Sequence, residues 1–376
     1  MISHKRHRRH KKLAGFLCLL CLLWLITPLE SHETLTTTVL FDREIVRILN
    51  KHCVMCHTDG GPSFPLETYE QTWLAGRKIR AEVIARHMPP WAAVPGYGQF
   101  INDNSLTLRE TQFIVSWVEG LGPRNAGTVF TNVADSAKPR TPVRAKADFG
   151  HWQLGTPSLT RQLEPNTIEP GQPNSTKRVV IDLGLTAECR VRGVEFLPGD
   201  RRVVRAAFFT VQETGQWIGS WTPWYGFSEA ASSSAYRLPA GAHAVAEISY
   251  RSAKERVTDR GTLGLYFADK PTPNTISDLV LDAKPTTRPD RYRSEVVLPA
   301  DTHALALRAE PAAGVTSIEV DERRSNGETR VLLFAKDIPA DWPSPYIFKS
   351  PVLLRRGSVL SVTSYSGPTK LTVSRY

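Results

Sequence analysis

The chain has 376 residues, 41% of them hydrophobic, which is enough apolar material for more than one buried core. Its net charge of +10 does not call for a nucleic acid partner, because six of those charges are Lys5, Arg6, Arg8, Arg9, Lys11 and Lys12, leaving only +4 after residue 12. With five cysteines and three methionines in so long a chain, a disulfide scaffold is excluded and each sulfur is worth placing.

Residues 1–33 begin with the basic run His4 to Lys12 and continue as an apolar stretch, Leu13 to Thr27, ended by Pro28. This is the form of a signal sequence. The stretch is short for a membrane span, yet no A-x-A cleavage site follows it, so a cleaved signal and an uncleaved anchor both remain open. Either way the rest of the chain is expected outside the cytoplasm, in the periplasm. Cys18 and Cys21, inside the apolar run, read as small filler.

Residues 34–122 read as a helical domain. Phe41, Ile45, Ile48, Leu49 and Cys53 recur at helical spacing and give one apolar face that leads into Cys53-Val-Met-Cys56-His57. Two cysteines three apart followed by a histidine form an attachment site for a c-type haem: each thiol adds across a porphyrin vinyl group, and the histidine of the same turn reaches the iron. Half of a zinc site is the competing reading, but it needs a second Cys or His pair, and Cys189 stands alone. The expected cofactor is therefore one covalent haem c, with Cys53 and Cys56 as thioethers and His57 as proximal iron ligand.

Met1 is the initiator and Met55 lies inside the motif, which leaves Met88 as the thioether for the distal face. His87 is its rival, and neighbours in sequence point different ways, so only one of them can bind iron. A loop rich in Gly and Pro follows the motif, Thr58 to Leu66, and a second helix is expected over about Ala75 to Arg86. The third is marked by a capping box, Thr107-x-x-Glu110, a stripe of Phe113, Ile114, Trp117 and Val118, and a stop at Gly122-Pro123.

The stretch from Ile48 through Val118 resembles a known family. Its CxxCH, Gly60-Gly61-Pro-x-Phe-Pro-Leu-x-Thr-Tyr69, Arg77-Lys78-Ile79, Met88-Pro-Pro-Trp91, Pro95-Gly96-Tyr97-Gly98-x-Phe100 and Asn102-Asp103 are similar to the cytochrome c module at the front of bacterial proteins related to copper type II, ascorbate-dependent monooxygenases (peptidylglycine hydroxylating monooxygenase-like). The resemblance implies an all-α cytochrome c domain and gives the methionine before Pro-Pro-Trp the distal position.

Residues 123–150 read as a linker rich in Pro, Ala, Lys, Arg and Thr. From His151 onward, short β-branched runs such as Arg178–Asp182, Val203–Val211, Ala244–Tyr250 and Val331–Phe334 alternate with Pro/Gly turns. Two tandem β-sandwiches are expected, 151–270 and 271–376, with a break near Pro271–Pro273. The landmarks Trp152-x-Leu-Gly155, Val191 to Gly199, Arg202-Val-Val204, Gly241-Ala242, Thr258 to Ala268 and Leu298-Pro-Ala300 resemble the two jelly-roll domains of the same family, which in active members bind one copper each.

At the positions this resemblance assigns to copper ligands the chain has Arg205-Ala206, Ser249 with Arg251 two residues on, and Arg308-Ala-Glu-Pro-Ala-Ala-Gly314. Such a pair of sites needs five histidines and a methionine, and after residue 150 there are three histidines, His151, His243 and His303, and no methionine. No copper is expected. Trp217, Trp221, Trp224 and Tyr225 offer a possible ligand platform but read better as core or loop anchors. No other catalytic motif is present in the sequence, and no catalytic residue is assigned. The leading expectation is an electron-carrying cytochrome with a redox partner protein, and with the cytoplasmic membrane as a second partner if the N-terminus is uncleaved. The alternatives are a copper-dependent monooxygenase-type oxidoreductase fed by the haem, and a haem-braced redox sensor or interaction module.

Overall fold

The computed structural model of the chain describes residues 37–59, 63–126, 150–231, 233–339 and 342–376. The expected signal or anchor, most of the linker and Gly60-Gly61-Pro62 lie outside these residues. Among the described residues no helix is long and apolar enough to cross a membrane. Strands make up 43% and helix 13%, so the fold is mostly β, with three short helices preceding it.

The first helix opens with one π turn, Phe41–Ile45, and continues as α1, Val46–His52. Phe41, Ile45, Ile48 and Leu49 are buried, as their spacing requires. Helix α2 is Tyr69–Ile84, six residues longer at its start than the apolar pattern suggests. Its true start is a second capping box: the Thr68 hydroxyl accepts the Gln71 N–H, and the Gln71 side-chain oxygen accepts the Thr68 N–H. Helix α3, Leu108–Glu119, starts at the Thr107/Glu110 box. Phe41, Leu49, Val54, Leu66, Ile79, Val83, Ile114 and Trp117 close one small core among the three helices.

Two β-sandwiches follow. In the first, one sheet runs Leu159–Gln162, Thr262–Phe267, Cys189–Leu197, Ser234–Leu238 and Asn274–Thr275, with Phe227–Glu229 added beside Cys189–Leu197. The facing sheet runs Ser175–Asp182, His243–Tyr250, Val204–Val211 and Trp217–Trp221. The second sandwich sets Ser277–Asp282, Thr369–Arg375, Thr302–Pro311 and Pro345–Leu354 against Lys284–Pro285, Arg291–Val297, Val359–Tyr365, Ser317–Arg323 and Thr329–Lys336. The chain crosses between them around Ile276, a few residues beyond the prolines that mark the break in the sequence.

Strand Val204–Val211 explains how the sandwiches adhere. Alternate residues face opposite ways, so Ala207, Phe209 and Val211 enter the core of the first sandwich, while Ala206 and Phe208 pack with Trp217 against Ala306 of the second. Both faces are covered, which is why the centre of the strand, Ala206 to Phe209, is apolar on both sides instead of alternating.

The loop between α2 and α3 belongs to the second sandwich by packing. Trp91, Ala93 and Phe100 sit in its core, each large ring contributing roughly 1.5–3 kcal/mol by burial. The Val94 N–H donates to Phe334 O at 2.8 Å, Lys336 N–H to Ala92 O at 3.0 Å, and Ile101 N–H to Ile347 O at 2.8 Å. Gly98 has φ +78, and a Cβ there would collide with the Leu332 carbonyl, so only glycine fits this approach. Asn102, buried, donates from Nδ2 to Pro345 O at 2.8 Å and accepts the Ile347 N–H at 3.0 Å. These contacts fix the three helices on the β region.

Candidate functional site

Helix α1 ends where the motif begins. The Cys56 and His57 N–H groups both donate to Cys53 O at 3.0 Å, and this single turn carries both thiols and the imidazole. Val54, with no exposed surface, pins the turn into the helical core. Cys53, Cys56 and His57 face one cleft, whereas Met55 lines a neighbouring crevice beside Arg201 and Asp200 of the first sandwich. Burial pushes the Cys53 thiol up to about 12, with nearby Cys56 and Glu110 adding to the rise. Burial also raises Cys56, against the pull of Arg251 and Arg201. Both thiols are therefore neutral at neutral pH.

His57 Nδ1 lies 2.9 Å from the Phe64 carbonyl, and the Leu66 N–H donates back to His57 O at 2.9 Å. Burial lowers the imidazole pKa; the Phe64 carbonyl opposes this, while Arg251 and Lys78 reinforce it. A neutral ring that gives its Nδ1 proton to a carbonyl keeps the Nε2 lone pair for a metal, and its orientation is fixed by that same bond.

Met88 lies on the same cleft. Arg86, at φ +58, takes the left-handed conformation that turns the chain out of α2, and the two residues after it diverge. Met88 lines the cleft, whereas His87 is two-thirds exposed outside it, with Nδ1 3.2 Å from Glu82 Oε2. Phe64, Leu66, Ile79, Val83 and Leu106 supply an apolar lining.

Two further elements of the site escape a reading of the sequence. His52, next to the motif, is 5% exposed; Nδ1 lies 3.1 Å from Asn104 Oδ1 and Nε2 lies 3.3 Å from Glu110 Oε1, so both ring nitrogens are engaged in joining α1 to α3. Its spacing of four from Ile48 is the signal that places it on the buried face. The other element is a wall from the β region, made by Trp224, Arg251 and Trp342. Trp224 donates from Nε1 to Asn102 O at 3.1 Å, and its ring centroid is 6.2 Å from that of Trp342. Trp221 is buried in the core of the first sandwich, Trp217 where the two sandwiches meet, and Tyr225 packs on Phe227, so of the aromatic cluster Trp224 alone lines this cleft.

Among the described residues no three His, Cys, Asp or Glu side chains converge as a self-sufficient metal site. A porphyrin iron does not need one, because the macrocycle supplies four nitrogens and the protein only two axial donors. Two thiols, an imidazole with a committed tautomer and a thioether around one apolar cleft fit that requirement.

A second cleft lies between the sandwiches and shares Pro90 and Trp342 with the first. It contains two of the positions that the resemblance assigns to copper ligands. Arg308, 8% exposed, donates from Nη2 to Glu247 Oε2 at 2.7 Å and reaches Glu310 Oε1 at 3.0 Å, with its guanidinium 4.4 Å from the Phe208 ring centre. Ser249 lies 3.4 Å from the Thr176 hydroxyl. A third such position, Arg205, stacks over the Trp342 ring at 5.2 Å. The lining holds no imidazole and no thioether, a donor set that does not suit copper. Of the histidines in the β region, His243 pairs with Glu213 at 2.9 Å, His303 stacks on Tyr376, and His151 is exposed.

No protein-family model matches the chain, and no curated protein matches it. Solved structures similar to it include the major capsid protein P2 of bacteriophage PM2 (11% identity, 58% of this chain and 97% of that one, TM-score 0.27). They also include allantoicase (14% identity, 53% and 77%, TM-score 0.20) and a cupin 2 conserved barrel domain protein from Leptotrichia buccalis (8% identity, 56% and 88%, TM-score 0.10). At TM-scores this low the likenesses carry no argument about family or activity.

Proposed function

We propose that the chain is a monohaem c-type cytochrome that carries electrons outside the cytoplasmic membrane, with a β region similar to a copper monooxygenase scaffold but without copper. The reading rests on one observation above all: Cys53, Cys56 and His57 from one turn, and Met88 from a separate stretch of the helical region, line a single cleft. In this reading the region is a cytochrome c domain and the sandwiches correspond to the two jelly rolls of the resembled family. Cys53 and Cys56 would hold haem c covalently, with His57 as its proximal ligand and Met88 as its distal one. The group would supply one-electron redox chemistry at iron, with a thioether ligand favouring a raised potential.

The chain's own residues do the rest. The Phe64 carbonyl keeps the His57 proton on Nδ1 and the ring aligned. Ile79, Val83, Leu66 and Leu106 exclude water from the cleft, and Trp224 and Trp342 cover it on the β side. With His57 and Met88 both serving as iron ligands, the chain would leave no place for substrate on the metal, so the activity we read is electron delivery to a redox partner protein. The test is a pyridine haemochrome spectrum of protein matured where c-type haem attachment operates. A spectrum with both vinyl groups saturated supports the reading, and protein without covalent haem contradicts it.

A further inference from the structure

Arg251 leaves the end of strand His243–Tyr250 and reaches the cleft of Cys53, Cys56 and His57. It is 8% exposed. Its backbone N–H donates to Val203 O at 2.9 Å and its Nε to Arg202 O at 2.5 Å. Among the described residues it forms no ion pair, and its four remaining guanidinium N–H groups have no protein acceptor. Asp200 attracts it through space but is paired with Arg202 at 2.6 Å, and Glu67, on the crevice they share, accepts the Asp59 N–H at 2.8 Å.

A largely buried cation with no ion-pair partner of its own is costly, and an anion arriving beside it offsets that cost. A haem brings two propionate carboxylates, and a guanidinium is the side chain whose forked donors match a carboxylate. We propose that Arg251 pairs with a haem propionate, so that the first sandwich completes the haem site of the helical region. This rests on the haem reading above. The β region then acts on the redox centre directly: a fixed positive charge near the iron favours the ferrous state, and it shields the propionate that would oppose it.

The test uses the full chain with its covalent haem, as wild type, R251Q and R251K, and measures the haem midpoint potential and the propionate vibrations in resonance Raman spectra. R251Q is expected to lower the potential by about 59 mV, a tenfold change in the one-electron reduction equilibrium, and to shift the propionate bands. R251K keeps the charge but loses the fork, so its potential stays near that of the wild type while the bands still shift; it decides the matter if R251Q does not fold. Wild-type potential in R251Q, or unshifted bands in R251K, overturns the pairing while leaving a haem protein. Wild-type chain that takes up no covalent haem overturns the haem reading and the pairing together.

Discussion

Two clefts meet at Trp342 and Pro90, and they hold opposite chemistry. The one against the helices gathers two thiols, an imidazole and a thioether in apolar surroundings. The one between the sandwiches gathers a guanidinium, two carboxylates and hydroxyls, and satisfies them with one another: Arg308 bridges Glu247 of the first sandwich and Glu310 of the second. Donor type, more than cleft shape, sorts what each can do. Neutral thiols, an imidazole with a free lone pair and a thioether suit the haem proposed above, whereas an ion pair that closes on itself fastens two domains.

The sharpest way to break this contrast is to remove the thiols. C53A/C56A should lose all covalent haem, seen as loss of in-gel haem peroxidase signal, while either single variant keeps a partial thioether-linked product. The next largest effect is at the sixth position. M88A should keep covalent haem but lower the potential and bind added imidazole or carbon monoxide, whereas H87A, whose ring pairs with Glu82, should leave the spectrum unchanged. An unchanged spectrum in M88A together with an altered one in H87A reverses the assignment.

In the other cleft the effects are on stability. E247Q weakens the Arg308 bridge, and because Glu247 is over a third exposed and Glu310 remains, the expected loss is about 1 kcal/mol, read as a lower urea midpoint. Neither bound iron nor haem potential should change.

The smallest effect is a pH dependence at Glu110. Burial tends to raise its carboxyl, but hydrogen bonds from Thr107 and Lys51 and the nearby His52 outweigh it and hold the pKa at about 2, below the ordinary 4.5. A lowered folded value means that its stabilisation is complete above pH 4.5 and fades as pH falls toward 2. The stability gap between wild type and E110Q, about 1 kcal/mol at neutral pH, should therefore shrink over that window in acid-dependent urea melts.

Local features were legible in the sequence. The CxxCH turn, the Thr107 cap and the stripe of α3 are all written within a dozen residues, and the structure has each helix where its apolar face predicts one. The start of α2 lies six residues before its apolar pattern, because its cap, Thr68-x-x-Gln71, precedes the apolar spacing instead of joining it. The β wall of the cleft was illegible for another reason. Trp224, Arg251 and Trp342 come from positions more than a hundred residues beyond the motif, and only tertiary packing brings them to it. Trp91, Ala93 and Phe100 gave no periodic signal either, since a loop that fills a neighbour's core has no face of its own to repeat.

The most direct single measurement is the iron and copper content per chain, by elemental analysis of protein matured with c-type haem attachment and exposed to copper. One iron and no copper is the predicted result, with the soft donors of the helical cleft filled and the Arg308 cleft holding only its ion pairs. Copper bound at one or two per chain, or no iron, would contradict it.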